Sequence, residues 1–443
     1  MKRILIIAAS DSGGGAGIQA DIKAVTLNGC HAMTAITALT AQNTLAVENV
    51  LPVPASFVEE QMRVVLSDIG ADAVKTGMLL NTGIIKAVVG VLSQYPVPLL
   101  VIDPVMKAKS GHRLLADDAR DCLQQELFPL ATMVTPNLDE AEALCGFPVV
   151  SDEAMREAAL RIHAQGPRYV LIKAGHRSGD CHDLLYDGNS FTVFEGTRIL
   201  TKNTHGTGCT LASAITAGLA QGMSAPEAVR KAKDFVTTAI RCAQPVGSGN
   251  GPTYPFAATV RDAQVSCCCR ELEAAYAVLA QERIGSLIPE VQSNFGYALA
   301  AACAPEDVVA FPGRLVRLRD SIARIAPPEP GASRHISRVI LTAMAHNPGM
   351  RAAMNIVYSE DIITRCRELG FSVAEFSRAE EPQNVRDLEG SSLEWGTQKA
   401  IAAAGAVPDI IFDRGGVGKE PMVRVLGTDP LDVAHKVLRI AGR

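Results

Sequence analysis

Short apolar runs alternate with amphipathic stretches through roughly the first 245 residues, following the usual strand–helix spacing. The clearest runs are residues 3–9, 73–76, 99–102, 131–135 and 169–172, and each reads as a strand. Strands alternating with helices predict an α/β fold built on a mainly parallel sheet. Each run is followed by loop chemistry: Ser-Asp-Ser-Gly, Gly-Met, Asp-Pro, Pro-Asn and Lys-Ala-Gly-His. In such sheets ligands collect beyond the carboxyl ends of the strands, so these loops are where site residues are expected.

The pattern breaks at residues 245–254 (PVGSGNGPTY), whose glycines and prolines mark a linker or domain edge. Residues 263–283 then show apolar positions at helical spacing, and a second α/β unit runs to Arg443, with a Pro-rich loop at 327–330 and a strand at 409–413. There is no internal repeat or low-complexity tract, so two different domains are expected, over 1–255 and 262–443. The 443-residue length agrees with two or three domains.

Composition narrows the class. Hydrophobic residues make up 48% and charged residues 20%, enough for packed cores. A formal net charge of −5 argues against nucleic-acid binding by bulk positive charge. No stretch approaches the ~18 apolar residues of a membrane helix. The start, MKRILIIAAS, has too short an apolar run for a signal peptide and leads into a glycine loop, so strand-then-loop is the better reading and a soluble cytoplasmic protein is expected. The eleven cysteines include no C-x-x-C pair, and adjacent Cys267, Cys268 and Cys269 suit neither a disulfide nor a zinc site. Free thiols in a reducing compartment are expected.

Candidate chemistry begins with NTHGTGC. Gly206, Thr207 and Gly208 can present backbone N–H groups, and a helix starting near Cys209 adds its positive end, which makes a nest for a phosphoryl group. Cys209 at that helix start is expected to be an acidified thiol able to take a substrate hydroxyl proton; a capping turn with a small buried cysteine explains the motif equally well on its own. SDSGGGAG leads into a helix near Ala16 and is neither a dinucleotide fingerprint nor a Walker A loop. Asp21, one turn in, is either a carboxylate for a heterocyclic substrate or a solvated helix acid. Gln42, in an apolar loop, offers an amide that both donates and accepts. Met78 and Met106 follow strands and suit packing on an aromatic ring, or the core. The polar loop 107–115 lies over the same strand end. In TPNLDEAEAL, Asn137 and Glu142 are candidates for a nucleotide-bound Mg²⁺ through waters, while Asp139 and Glu140 read as first-turn acids. Lys173 either offsets phosphate charge or lies on the surface.

Taken in order, ASDSGGGAGIQAD, TALTAQNT, KTGM, DPVM, TPNLDEAEAL, LIKAGH and NTHGTGC resemble the hydroxymethylpyrimidine/phosphomethylpyrimidine kinases, of the ribokinase-like superfamily, over residues 1–255. The resemblance implies a three-layer αβα domain and two successive phosphorylations of 4-amino-5-hydroxymethyl-2-methylpyrimidine with ATP and Mg²⁺. It assigns Asp21 and Gln42 to the pyrimidine, Met78 to the pocket wall, and Gly206 to Cys209 to the anion hole and base. It also suggests a homo-oligomer, a dimer through the kinase half. Ala174 departs from an expected glycine. A pyridoxal-type kinase is the alternative.

In the second half, Arg314, Arg334, Arg414 and Lys419 are candidates to hold a diphosphate together, or are unrelated surface cations. Gly415 to Glu420 lacks P-loop spacing. Asp413 with Glu420 is either a Mg²⁺ pair or a cap. SNFGYAL, GR, GASRH and DRGG–G–EP resemble a thiamine-phosphate synthase domain over 262–443. That implies joining the pyrimidine diphosphate to thiazole phosphate, with Arg314 and His335 catalytic. A non-catalytic domain that senses thiamine phosphate is the alternative. The expected partners throughout are small-molecule substrates, with no nucleic acid and no membrane.

Overall fold

The strand at the amino terminus is apolar on both sides because helices cover it on both sides. In β1 (Arg3–Asp11), Leu5 and Ile7 pack with Val58, Val88 and Ala158, while Ile4 and Ile6 pack with Ile18, Val25 and Ala217. A parallel strand buried on both faces has no polar side to show, hence the unbroken run RILIIAA. The computed structural model describes residues 1–107, 111, 114–175, 181–196, 198–382, 391–416 and 418–443. They fall into two units, Met1–Thr259 and Val260–Arg443.

The first unit is a three-layer αβα domain. Its other strands are β2 (His31–Gln42), β3 (Val47–Pro52), β4 (Ala73–Thr76), β5 (Leu100–Ile102), β6 (Met133–Val134), β7 (Tyr169–Ile172), β8 (Cys181–Tyr186) and β9 (Phe191–Gly196). They order as β3-β2-β1-β4-β5-β6-β7-β8-β9. From β2 to β7 every pairing is parallel, whereas β3, β8 and β9 add antiparallel edges. The helices are α1 (Gly17–Leu27), α2 (Ala55–Asp68), α3 (Thr82–Gln94), α4 (Asp117–Cys122), α5 (Leu138–Cys145), α6 (Asp152–His163), α7 (Thr207–Ala220) and α8 (Ala225–Arg241).

The five expected strands form, but β2 was not anticipated. HAMTAITALTAQ is rich in alanine and threonine and carries no long apolar run, yet Met33, Ala35, Thr37 and Ala38 are buried. Gln42 therefore ends a strand rather than sitting in a loop. Residues 245–254, read as a linker or a domain edge, lie at the end of the first unit and are bonded into it. Asn250 N–H donates to the Thr44 carbonyl at 2.8 Å, and His205 N–H donates to the Gly251 carbonyl at 2.9 Å, so this strap closes over the first unit.

Helix α9 (Ala257–Ala280) begins in the last residues of the first unit and forms the start of the second, ahead of the expected residue 263. Its strands are β10 (Phe295–Ala298), β11 (Val308–Ala310), β12 (Leu315–Leu318), β13 (Ser321–Arg324), β14 (Glu329–Pro330), β15 (Ala352–Val357), β16 (Val373–Glu375), β17 (Ile410–Asp413) and β18 (Met422–Gly427). Seven of them order as β14-β11-β10-β15-β18-β17-β16, with β12 and β13 as a separate hairpin. Among its described strands only β16 and β17 pair in parallel. Helices α10 (Arg334–His346), α11 (Glu360–Glu368), α12 (Ser391–Ala404) and α13 (Pro430–Ile440) complete an α/β unit. Among the described residues, no helix is long and apolar enough to cross a membrane.

Candidate functional site

A cleft of about 750 Å³ opens beyond the carboxyl ends of β1, β4, β5 and β7, where the sequence placed it. Gly206 to Cys209, Lys173, Asn137, Gln42, Met78 and Met106 all line it, joined by Asp11, Lys75, Asp103, Glu140 and His205. Most of the polar loop 107–115 lies outside the described residues, as does His176.

The phosphate nest is set by α7. Its N-cap, Gly206, holds φ 79°, a left-handed conformation that favours glycine. A Cβ there would lie 1.8 Å from the Gly15 carbonyl oxygen, so the two glycine loops touch backbone to backbone. Every residue of α7 from Thr210 to Ala220 is buried, which fixes the axis whose positive end faces the cleft. A Cβ on Gly208 would lie 3.5 Å from Lys173 Nζ and 3.7 Å from Asp103 Oδ2, so an ammonium and a carboxylate flank the nest.

Cys209 stands in the first turn of α7, but not as an acidified thiol. Burial pushes its thiol up to about 12; Lys75 pulls the other way, and Asp21 and Asp103 add to the rise. Desolvation outweighs the helix dipole here, so the ligand-free site holds a neutral thiol.

Asp21 does not line the cleft. It is fully buried behind the cleft wall, where Lys75 Nζ donates to both its oxygens at 2.9 Å and Ser213 Oγ donates at 2.7 Å. Burial pushes the Asp21 carboxyl up, against the pull of Lys75. For Lys75 burial works to lower the ammonium, but Asp21, Cys209 and Asp103 together hold it above its ordinary value. The pair therefore fixes the Lys75 ammonium in the wall beside Cys209, with the Asp21 carboxylate opposing its charge. A lysine inside the four-residue buried strand AVKT was the available signal, since a buried lysine requires an acid.

Lys173 is not a surface residue. Its ammonium donates to Asp103 Oδ1 at 2.8 Å, and Thr135 Oγ1 donates to the same oxygen at 3.3 Å. Burial works to raise Asp103, yet Lys173 and Lys75 keep it below the usual carboxylate range. The acids of α5 that line the cleft are Asp139 and Glu140, not Glu142. Asn137 Oδ1 accepts from Glu140 N–H at 2.9 Å and Glu140 Oε2 accepts from Asn137 N–H at 2.8 Å, a reciprocal cap. Burial pushes Glu140 up to about 7, with Lys173 opposing and Asp103 adding. Glu142 is exposed and accepts from Val149 N–H at 3.4 Å.

The far end of the cleft is organised by Asp11 and His205, neither singled out from sequence. Asp11 accepts from Gly13 N–H at 2.8 Å, Gly15 N–H at 3.0 Å and Ala16 N–H at 2.8 Å. His205 Nε2 lies 3.0 Å from Asp11 Oδ2 and 3.1 Å from Gln42 Nε2.

In the second unit the motifs meet at one end of the sheet. Ser333 Oγ donates to Asn294 Oδ1 at 2.8 Å, and Asn294 N–H donates to Asn355 Oδ1 at 2.7 Å. Arg424 lies opposite Asn355 in the β15–β18 register. Leu315, next to Arg314, exchanges backbone hydrogen bonds with Ser293 at 2.7 and 3.0 Å. Arg314 holds φ 71°, and its guanidinium donates to the Val291 carbonyl. Arg334 and His335 are exposed in the first turn of α10, above Ser333.

Two more of the four cations expected to hold a diphosphate have protein partners on their side chains. Arg414 pairs with Glu360 and with Glu375 Oε1 at 2.9 Å, and Lys419 Nζ donates to Ser392 Oγ at 3.3 Å. Asp413 and Glu420 form no metal pair. Asp413 is buried between Arg378 at 2.7 Å and Arg424 at 2.8 Å, and Glu420 accepts from Glu290 and Val291 N–H groups. Among the described residues, no group of three or more His, Cys, Asp or Glu side chains could hold a metal ion.

Comparison with known proteins agrees with both halves. Residues 11–254, more than half the chain, match the family described as phosphomethylpyrimidine kinase, and residues 271–439 match that described as thiamine-phosphate synthase ThiN. The chain is 49% identical over 262 residues to a hydroxymethylpyrimidine/phosphomethylpyrimidine kinase of Mycobacterium leprae, covering 57% of this chain and 94% of that one. It is 52% identical over 262 residues to the thiamine biosynthesis bifunctional protein ThiED of Geobacter sulfurreducens. That match covers 58% of this chain and spans about half of the relative, 54%. Among solved structures, an ADP complex of Bacillus subtilis pyridoxal kinase is 38% identical with a TM-score of 0.55, covering 59% of this chain and 99% of that one.

Proposed function

Because the chain belongs to the phosphomethylpyrimidine kinase family and carries a thiamine-phosphate synthase ThiN domain behind the kinase, we propose that it acts twice in making thiamine phosphate. The first unit passes the γ-phosphoryl group of ATP to the hydroxymethyl oxygen of the aminopyrimidine, then a second phosphoryl group to the monophosphate. The observation that carries this reading is one cleft with two ends: a phosphate nest flanked by Lys173 and Asp103, and a ring-binding end with Gln42, Met78 and Met106.

In the transfer, the substrate oxygen bonds to the γ-phosphorus, the bond to the β-phosphate oxygen breaks, and ADP leaves. The backbone N–H groups of the nest and the Lys173 ammonium hold the equatorial oxygens, where charge must be stabilised. The hydroxyl proton becomes acidic as the new bond forms. Cys209 and Asp103 both line the cleft beside the nest, and the hydroxyl proton is taken up there. Glu140, buried and pushed up to about 7, carries charge that a cation would relieve, so it fits Mg²⁺ through waters, with Asn137 beside it. Bound Mg²⁺ supplies charge neutralisation on the phosphates. Incubation with ATP, Mg²⁺ and either the aminopyrimidine alcohol or pyridoxal tests the reading. Phosphorylation of the pyrimidine twice over is expected; turnover of pyridoxal alone would replace it with a pyridoxal-type kinase.

The second unit joins the pyrimidine diphosphate to thiazole phosphate. The thiazole nitrogen bonds to the pyrimidine methylene carbon as that carbon's bond to the diphosphate oxygen breaks. Support comes from the meeting of Arg314, His335, Asn294 and Asn355 around one sheet end. Thiamine phosphate formed from the two substrates is the expected result; binding of thiamine phosphate with no synthesis would make this unit a sensor.

A further inference from the structure

His205 touches three chain segments that are distant in sequence. The glycine loop supplies Asp11 at 3.0 Å, the end of β2 supplies Gln42 at 3.1 Å, and the strap supplies backbone bonds on both sides: His205 N–H donates to the Gly251 carbonyl at 2.9 Å and Thr253 N–H donates to the His205 carbonyl at 3.2 Å. The packing leaves the ring nowhere else to go. A Cβ on Gly15 would lie 2.5 Å from His205 Cδ2 and 3.1 Å from the Pro252 side chain. The side chain is 14% exposed.

Hydrogen-bond accounting then fixes the protons. Asp11 already accepts three backbone N–H groups, an arrangement that suits a carboxylate, which only accepts. The imidazole nitrogen facing it must carry a hydrogen, whether the ring is neutral or charged. A protonated Nε2 cannot also accept from the Gln42 amide nitrogen 3.1 Å away, because two donors would oppose each other. The two ends of an amide are set by the network around them. Turning the Gln42 amide brings its oxygen toward His205 and its nitrogen toward Thr40 Oγ1, 3.3 Å from the present oxygen position. Thr40 can receive that nitrogen, since its own hydrogen goes to the Ser10 carbonyl at 3.1 Å. The single Nε2 hydrogen is then shared between the Asp11 carboxylate and the Gln42 oxygen, and the Gln42 nitrogen donates to Thr40.

We propose that His205, held by Asp11, is the positioning residue that sets the polarity of Gln42, and with it the direction in which an aminopyrimidine enters the cleft. An amide whose oxygen lies on the His205 side and whose nitrogen lies on the Thr40 side complements a ring carrying an amino donor next to a ring-nitrogen acceptor. The amino group faces the His205 side and the ring nitrogen the Thr40 side. The reverse ring orientation meets donor against donor. His205 thus selects a 4-aminopyrimidine edge without touching it, by excluding the other amide orientation.

The inference rests on the aminopyrimidine reading of this cleft, and two measurements separate their fates. Long-range ¹H–¹⁵N spectra of histidine-labelled full-length protein report the tautomer with no substrate present. A hydrogen on His205 Nε2 is expected, and a neutral ring protonated only on Nδ1 overturns the inference whatever the enzyme phosphorylates. Kinetics test the consequence. His205→Leu should raise KM for the aminopyrimidine alcohol about tenfold, the scale of a lost hydrogen-bond pattern, with KM for ATP unchanged. His205→Gln, which keeps an N–H for Asp11, should recover most of that loss. The same His205→Leu change made in a Gln42→Ala background should add little, because one residue acts through the other. Independent, multiplying effects of the two substitutions, or an unchanged KM in His205→Leu, would overturn it. A wild-type chain that ignores the pyrimidine would instead sink the reading on which it rests.

Discussion

In the first unit Lys75 and Lys173 are buried, and each meets a carboxylate that is itself buried; in the second, Arg414 stands exposed between Glu360 and Glu375. The first arrangement places charge at fixed points of a cleft wall, where low dielectric makes it effective. The second places charge on a surface, where solvent screens it. The topologies explain the contrast. Parallel strands deliver their carboxyl ends to one edge, so β1, β4, β5 and β7 each add a side chain to one cleft. An antiparallel sheet sends alternate strand ends apart, and the second unit assembles its polar cluster from Asn294, Ser333, Asn355 and Arg424 through direct side-chain bonds and strand register. Its buried Asp413 is held by two guanidinium groups, Arg378 and Arg424.

The contrast is sharpest where charge is buried. Lys75→Met should destabilise the first unit by about 3–5 kcal/mol, the cost of leaving Asp21 buried without a partner. The double change Lys75→Met with Asp21→Leu should recover part of that loss in denaturant unfolding. Gly206→Ala should cost the kinase on the order of 100-fold in kcat, as lost oxyanion donors do, while synthesis from supplied pyrimidine diphosphate stays at the wild-type rate. In the second unit His335→Ala should abolish thiamine phosphate formation and spare the kinase. By the same comparison Arg414→Ala should change synthesis less than about threefold, since an exposed ion pair contributes about 0–1 kcal/mol. A large Arg414 effect would mean that the surface cation is used after all.

The smallest effect is a pH dependence. Glu140 is raised from an ordinary 4.5 to about 7 by burial, so its protonated form is favoured in the folded state. Its contribution to stability is full below about 4.5 and is lost as pH rises through about 7. The melting temperature of wild-type protein should therefore fall more across that interval than that of Glu140→Gln. Equal slopes would remove Glu140 as a strained carboxylate.

Sequence disclosed what lies at strand ends and little of what lies behind them. Lys173, Met78 and the Gly206 nest follow apolar runs, and the parallel topology brings them together. Asp21 was misplaced because helical position alone does not tell a solvated acid from one buried against a lysine 54 residues away. Glu140 and Glu142 differ by two residues, which on a helix places them on different sides; Asn137 three residues before Glu140 was the signal that decides between them. The Arg414 partners lie 54 and 39 residues away, beyond any local pattern. His205 was printed inside the nest motif, but its role depends on a strap that reads as a linker or a domain edge.

The account stands most directly on a coupled assay of the intact chain with the aminopyrimidine alcohol, thiazole phosphate, ATP and Mg²⁺. Thiamine phosphate should accumulate. Gly206→Ala should stop it, and added pyrimidine diphosphate should restore it. No thiamine phosphate from the wild-type chain, even with the diphosphate supplied, would contradict the two-site account.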